Sequence, residues 1–168
     1  MPIPHSCRIC RQAHDDWPAL TFPSPAAYYT LREAEQAERA SLDSDFCVII
    51  HPEQTDRFVR AVLLQDVKDH PEPLHYGLWT SLSAASFADY RAHYRTNNHR
   101  TTYFGWLANP LPDYDFEVNI PLRVITRPNK QRPELVPQEG FDHPFVRDYY
   151  AGIPLAEAQR RIHAIPSD

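Results

Sequence analysis

The stretch RFVRAVLLQDV at residues 57–67 is the strongest structural signal in the sequence. Side chains along an extended chain point alternately to two faces, and here both faces are largely apolar. We therefore predict a central strand that is buried on both sides, interrupted on one face by Arg60. The apolar residues are Val59, Ala61 and Leu63 on one face and Phe58, Val62 and Leu64 on the other.

Other β-branched and aromatic runs on either side of this stretch predict further strands. They cover residues 46–50, 74–82, 103–107 and 116–126. Pro121 lies within the last run and lacks the N–H group that a central strand would use. It therefore predicts an edge strand or a bulge.

Helical segments are predicted beside the strands. Residues 25–42 are rich in Ala, Glu, Gln and Arg, which favours a surface helix. Ser83 is a suitable N-cap for a helix that runs to about Thr96. Two short helices follow near the C-terminus, one after His143 and one opened by Pro154. Strands in consecutive runs with helices beside them indicate an α+β fold with a mainly antiparallel sheet.

The composition is typical of one globular domain. The 168 residues are 42% apolar and include 17 prolines but only four glycines, so we predict a single domain over residues 1–168 with stiff loops. Residues 1–25 are predicted to be irregular because five prolines fall among them.

Charge and hydropathy exclude several classes of partner. Lys and Arg number 17 against 22 Asp and Glu, a net charge of −5, which disfavours nucleic acid and anionic lipid as partners. No apolar run approaches the roughly 18 residues needed to cross a bilayer. The opening residues also lack the basic and apolar regions of a signal peptide, so the sequence predicts a cytoplasmic protein.

Cys7 and Cys10 have the spacing with which one tight turn presents two thiolates to a tetrahedral zinc ion. Such a structural zinc would anchor the proline-rich opening, with His14 and Cys47 as the predicted further ligands. The alternative is that the pair are ordinary reduced thiols and that Cys47, among apolar neighbours, is a buried small hydrophobe. The reserve ligands are His5, His51 and His143.

Seven residues are candidates for a surface that contacts a partner or ligand. Tyrosine and tryptophan side chains supply contact area at low entropic cost, as interface anchors do. Each candidate also has a structural interpretation. It is core packing for Trp79, a solvent-reaching stem for Arg60, a helix-start role for His143, and capping of the sheet for the other four. The seven are Arg60, Trp79, Trp106, Asn109, Asp113, Tyr114 and His143.

Six segments in order resemble the bacterial family called domain of unknown function 2199. They are CRIC at 7–10 with His14, DFCVI at 45–49, GLWTSLS at 77–83, GWLAN at 105–109 with Leu111 and Pro112, RPEL at 132–135, and His143-Pro144 with Gly152-Ile153. The resemblance implies a bacterial single-domain protein and supplies no reaction. This chain departs from the family pattern at Arg11, where the pattern has glycine, and at Ala108, where it has cysteine.

Common catalytic motifs are absent from the sequence: there is no serine elbow, no glycine-rich phosphate loop and no His-Glu-x-x-His. The sequence therefore predicts a non-catalytic protein-binding domain with a structural zinc, of the kind that includes immunity proteins, which block bacterial toxins. A metal-dependent, hydrolase-like enzyme with an open Cys/His site is the main alternative. A thiol redox switch at Cys7 and Cys10 is the third interpretation.

Overall fold

The computed structural model describes residues 17–96 and 98–164, together with the backbone of two short strands near the N-terminus. These strands, β1 (His5–Ser6) and β2 (Ala13–His14), pair in antiparallel fashion. Cys7 and Cys10 lie outside the described residues. The predicted thiolate pair therefore stays a prediction.

The described chain forms eight further strands and five helices. They are β3 (Leu20–Thr21), α1 (Ala26–Tyr29), α2 (Glu33–Arg39), β4 (Ala40–Leu42), β5 (Phe46–Ile50), β6 (Thr55–Gln65), β7 (Leu74–Ser81), α3 (Ala84–His93), β8 (Thr102–Leu107), β9 (Pro121–Ile125), β10 (Glu134–Pro137), α4 (Pro144–Ala151) and α5 (Leu155–His163). The predicted α+β class is confirmed.

Strand β6 closes the sheet on itself. Along one edge it pairs with β7, while on the other edge its first half pairs with β5 and Val62 pairs with Glu134 of β10. The strands β6, β7, β8, β9 and β10 thus form a closed five-stranded barrel, with β3, β4 and β5 as outer strands. Adjacent strands are antiparallel except for two parallel contacts, β10 with β6 and β3 with β7. The predicted antiparallel character is confirmed, but the closure was not foreseen.

The central position predicted for β6 is confirmed, although its two faces are buried to different degrees. Val59, Ala61 and Leu63 have no exposed surface and belong to the main core. On the other face Phe58 is buried, whereas Val62 and Leu64 keep partial exposure. That face is covered only where β5, β7 and α1 supply a smaller cluster.

The helix predicted over residues 25–42 is wrong as a single element. The chain forms α1 and α2 with a break at Thr30–Arg32, and residues 40–42 extend as β4. Ala40, Ser41 and Leu42 pair with Ile49, Val48 and Cys47 of β5. Backbone pairing along the free edge of β5 thus overrides the helix propensity of the sequence.

The strand predicted over residues 116–126 begins later, at Pro121, and is not at an edge. It lies between β8 and β10. Proline is tolerated at the first residue of a strand, which is where Pro121 lies. The neighbouring strand β10 was not predicted, because Pro133 and Pro137 flank a very short apolar run.

The predicted cap of α3 is confirmed. The Ser83 hydroxyl accepts a hydrogen bond from the backbone N–H of Ser86 at 3.1 Å, which satisfies one of the free donors of the first turn. Phe87 and Tyr90 are buried against the sheet. Near the C-terminus, Ala158 and Ile162 of α5 are buried as well.

Replacing Gly105 of β8 by alanine should lower the free energy of unfolding by about 2–3 kcal/mol, a typical cost of overpacking. A Cβ atom there would lie 2.4 Å from Thr80 Oγ1 and 2.6 Å from the Ser81 carbonyl oxygen. Urea denaturation would measure the loss. Gly77→Ala is the control, because the atoms nearest to its Cβ would be those of Thr21, at 3.0 Å or more. Equal losses in the two variants would contradict the steric explanation.

Candidate functional site

A cleft opens where β7 and β8 separate. These strands share two residue pairs, Thr80 with Leu107 and Ser81 with Trp106, after which the chain leaves β7 and enters α3. Strand β8 continues beside β9 alone. The cleft left between β8, the start of β6 and the start of α3 has a volume of about 640 Å³.

Two aromatic side chains line this cleft from β8. Phe104 and Trp106 are two residues apart and therefore lie on the same face of the strand. Their rings meet edge to face at a centroid distance of 5.0 Å and an angle of 89°. Phe104 is 54% exposed and Trp106 42% exposed, whereas Tyr103 and Gly105, which precede them in turn, are buried. The strand thus turns two large apolar side chains toward solvent.

Two further exposed apolar residues are neighbours of residues that line the cleft. Ile50, 57% exposed, pairs with the cleft residue Thr55 across the β5–β6 hairpin. Val118, 51% exposed, directly precedes the cleft residue Asn119. Of the seven large apolar side chains that are exposed in the described chain, two thus line the cleft and two belong to residues that neighbour cleft residues.

Polar groups from β6 and α3 also contribute to the lining. The Asp56 carboxylate lies 2.9 Å from His51 Nε2 and accepts a hydrogen bond from Gln54. Arg57 donates to the Thr55 carbonyl at 3.3 Å. Ser83 and Ser86 of the first turn of α3 also line the cleft. An apolar patch with a polar rim is the composition of a protein-binding surface.

Of the predicted site residues whose side chains the structure describes, Trp106 alone lines this cleft. Trp79 and Asn109 instead lie in the interior, with 0% and 1% exposure. The Asn109 amide accepts from the Trp79 backbone N–H at 2.8 Å and donates to the Ser24 carbonyl at 2.9 Å. Trp79 Nε1 donates to the Phe22 carbonyl at 3.0 Å. Both side chains hold the segment around Phe22 against β7.

Arg60 is half-buried beside Trp79, its neighbour across β6 and β7. Its guanidinium carbon lies 6.0 Å from the centre of the Trp79 ring, and Nη1 donates to the Ser44 carbonyl at 3.4 Å. Burial and the nearby positive charge of Arg132 lower the pKa of Arg60. Arg60 does not line the cleft.

Asp113 and Tyr114 surround a buried arginine, Arg161 of α5, whose side chain is 4% exposed. Arg161 donates to Tyr114 at 2.7 Å and to Tyr76 at 3.2 Å, both through hydroxyl groups. It also donates to Glu157 at 2.9 Å and lies 3.7 Å from Asp113. Burial alone would lower the pKa of Arg161, but these hydrogen bonds outweigh it and raise the pKa.

His143 is the N-cap of α4 and is 6% exposed. Its Nδ1 accepts from the Phe145 backbone N–H at 3.1 Å, and its Nε2 lies 2.7 Å from the Asp115 carbonyl. The ring also stacks on Phe116. Both ring nitrogens are therefore engaged in holding the start of α4.

Cys47 is buried with Ile49, Phe58 and Trp79 in the smaller apolar cluster. Burial, with a further contribution from Asp43, raises the pKa of its thiol to about 12. The thiol is thus protonated at neutral pH in the described structure. Its predicted partners Cys7 and Cys10 lie outside the described residues, as does the side chain of His14, so the zinc site stays a prediction.

A family model described as "uncharacterized protein conserved in bacteria (DUF2199)" matches residues 6–153. The chain belongs to this family. The resemblance predicted from the sequence segments is confirmed. Searches of curated proteins and of solved structures found no match.

Two features of this DUF2199 chain are not among the residues predicted from the sequence. The first is Phe104, which is separated from Trp106 by Gly105 alone. This two-residue spacing in the sequence could have predicted that both aromatic side chains lie on one face of the strand. Asp89 and His93 are four residues apart on α3, a spacing that places side chains on one helix face. Tertiary structure brings His99 close to both.

Across the residues that the structure describes, no helix combines the length and apolar character required to cross a membrane. The predicted cytoplasmic location is not tested by this finding.

Proposed function

We propose that this DUF2199 chain is a protein-binding domain whose contact surface is the cleft between β6, β8 and α3. The observation that carries the proposal is the pair of exposed aromatic side chains that line the cleft, Phe104 and Trp106. Two more exposed apolar residues neighbour cleft residues, Ile50 opposite Thr55 and Val118 next to Asn119. A contiguous exposed apolar patch rimmed by polar residues marks a protein interaction site.

The character of the cleft favours a protein over a small molecule. Ligand pockets enclose most of their ligand and hold a few convergent polar groups. In this cleft Phe104 and Trp106 are about half exposed, and nearby Asp56 and Arg57 already bond within the chain. Side chains of this kind are anchors that a partner buries on contact.

The overall charge favours a basic partner. The chain carries a net charge of −5, and complementary charge accelerates association and suppresses like-charged competitors. A basic bacterial toxin is a partner of this chemistry, which makes toxin neutralisation by an immunity-type protein the specific form of the proposal.

A structural zinc held by Cys7, Cys10, His14 and Cys47 is retained as part of the proposal. Its support is the two-residue spacing of the thiol pair, which suits tetrahedral coordination. To bind zinc, the Cys47 thiol must lose its proton, although burial raises the pKa of this thiol. The free energy of zinc binding drives this deprotonation.

Replacing Trp106 by alanine should weaken partner binding by about 2 kcal/mol, or roughly thirtyfold in Kd. The partner would first be captured from a lysate of the native bacterium, identified and purified. Calorimetric titration would then compare the wild type, Trp106→Ala and Tyr150→Ala. Tyr150 is a matched control because it is 45% exposed and lies on α4, outside the cleft lining.

The proposal requires that Tyr150→Ala bind as tightly as the wild type and that affinity fall with rising salt concentration. If Trp106→Ala bound the purified partner with unchanged Kd, the cleft would not be the contact surface. If the face instead bound a second copy of this chain, so that Trp106→Ala abolished a homodimer, the proposed foreign partner would be refuted.

A further inference from the structure

A group of metal-ligand side chains lies where α3 ends. Asp89 and His93 are on one face of that helix, and His99 follows in the segment leading to β8. One potential ligand atom from each of the three lies within 4.8 Å of the other two. The His93 and His99 rings are stacked, with centroids 4.7 Å apart and planes 16° from parallel.

The hydrogen bond of His93 defines which ring nitrogen is free. Its Nδ1 lies 2.8 Å from the backbone carbonyl oxygen of Asp89. A carbonyl oxygen only accepts hydrogen bonds, so Nδ1 carries the proton of the neutral ring and Nε2 keeps its lone pair. Metal-binding histidines characteristically donate their other ring N–H to a carbonyl or carboxylate in this way.

A hydrogen bond with Tyr103 defines the free ring nitrogen of His99 in the same way. The Tyr103 hydroxyl donates its single proton to Asp89 Oδ2 at 2.6 Å. The hydroxyl oxygen, 2.8 Å from His99 Nε2, therefore accepts from that nitrogen. In the neutral ring the lone pair is then on Nδ1, while Asp89 keeps Oδ1 outside this bond.

Solvent reaches the group from one side. The side chains of Asp89 and His93 are 46% and 48% exposed, whereas that of His99 is 13% exposed and fixed by Tyr103. An ion can thus enter without unfolding the surroundings. Three protein ligands leave coordination positions for water, as in sites that are open rather than purely structural.

We propose that Asp89, His93 and His99 bind a divalent transition-metal ion of the zinc type. Two imidazoles favour zinc, cobalt, nickel or copper over magnesium and calcium, which prefer oxygen ligands. With metal–ligand distances of about 2.0–2.2 Å, ligand atoms in a tetrahedral site lie about 3.4 Å apart. In the unbound structure the nitrogens near the Asp89 carboxylate are His93 Nδ1, 3.5 Å from Oδ1, and His99 Nε2, 3.8 Å from Oδ2. Binding through the two free nitrogens therefore requires rotation of the stacked rings, together with a contraction of the group by up to about 1.4 Å. The site is separate from the partner-binding cleft and does not depend on that proposal.

Cobalt(II) titration of the tag-free full-length chain tests the site, because cobalt replaces zinc and its absorption spectrum reports the ligands. The variant with both Cys7→Ser and Cys10→Ser lacks the proposed thiolate site. It should still bind one cobalt ion, with absorption bands that show no thiolate charge transfer. Adding His93→Ala to this variant should weaken cobalt and zinc binding at least tenfold, a typical loss when a metal site is disturbed. His163→Ala, an exposed histidine on α5, is the matched control and should bind as its parent does.

His93 is the decisive position because its exposed side chain is removable without loss of core packing. Absence of cobalt binding in the doubly substituted chain, or unchanged affinity in His93→Ala, would overturn the proposal. If the cysteine substitutions prevented folding, zinc titration of the intact chain followed by NMR of the histidine rings would decide. The ring signals of His93 and His99 must then shift while that of His163 does not, and the reverse pattern would refute the site.

Discussion

Replacing Trp79 by alanine should lower the free energy of unfolding by about 3–5 kcal/mol, the usual cost of truncating a buried tryptophan. The Trp79 ring has no exposed surface and fills the smaller cluster with Cys47, Ile49 and Phe58. The substitution also leaves the Phe22 carbonyl without the donor that Trp79 Nε1 supplies. Urea denaturation followed by far-ultraviolet circular dichroism would measure the loss.

Trp106→Ala is the matched control for this prediction, since both tryptophans lie in neighbouring strands of the same sheet. Trp106 is 42% exposed, so its replacement should cost far less stability while impairing partner binding. Comparable destabilisation by the two substitutions would show that Trp106 belongs to the core. That result would also remove the main anchor of the proposed contact surface.

Replacing Arg161 by methionine should lower the free energy of unfolding by about 3 kcal/mol, as expected when one partner of a buried charged network is removed. Arg161 joins α5 to the barrel through Tyr76 of β7 and to the segment between β8 and β9 through Tyr114. The Asp113 side chain is 11% exposed and lies near two arginines, Arg160 and Arg161. Without the Arg161 guanidinium group, it loses one of these two positive charges. Thermal and urea unfolding would both report the effect.

Arg147→Met supplies the comparison for Arg161. Arg147 is 61% exposed and pairs with Asp142, which is 94% exposed, so its loss should change stability by less than about 0.5 kcal/mol. Arg161→Lys should retain part of the stability, because lysine keeps the charge but not the fork of donors. If methionine at position 161 matched or exceeded wild-type stability, the network would not hold α5 in place.

Local sequence patterns predicted several elements because their causes are local. The largely apolar run of residues 57–67, with apolar side chains on both faces, indicated β6, and the hydroxyl of Ser83 indicated the start of α3. The sequence-based predictions were wrong where pairing with residues distant in the chain decides the conformation. Residues 40–42 have helix-compatible composition but pair with the edge of β5, and Pro121 begins a strand that β8 and β10 enclose.

The candidate sites divide in the same way. Aromatic content and net charge indicated a binding surface, and the spacing of Cys7 and Cys10 indicated a zinc site. The separation of the two tryptophans into a core residue and a surface residue required the sheet register, which the sequence does not reveal. His99 reaches Asp89 only because the chain after α3 folds back toward β8.

The sequence by itself determined the family, the α+β class, the strand β6 and the cap of α3, because periodicity, propensity and short motifs act over a few residues. Tertiary structure alone decided the closure of the barrel, the cleft between β7 and β8, and the meeting of Asp89, His93 and His99. These features depend on pairings between residues distant in the chain, where burial and hydrogen bonding of the whole sheet outweigh local preference.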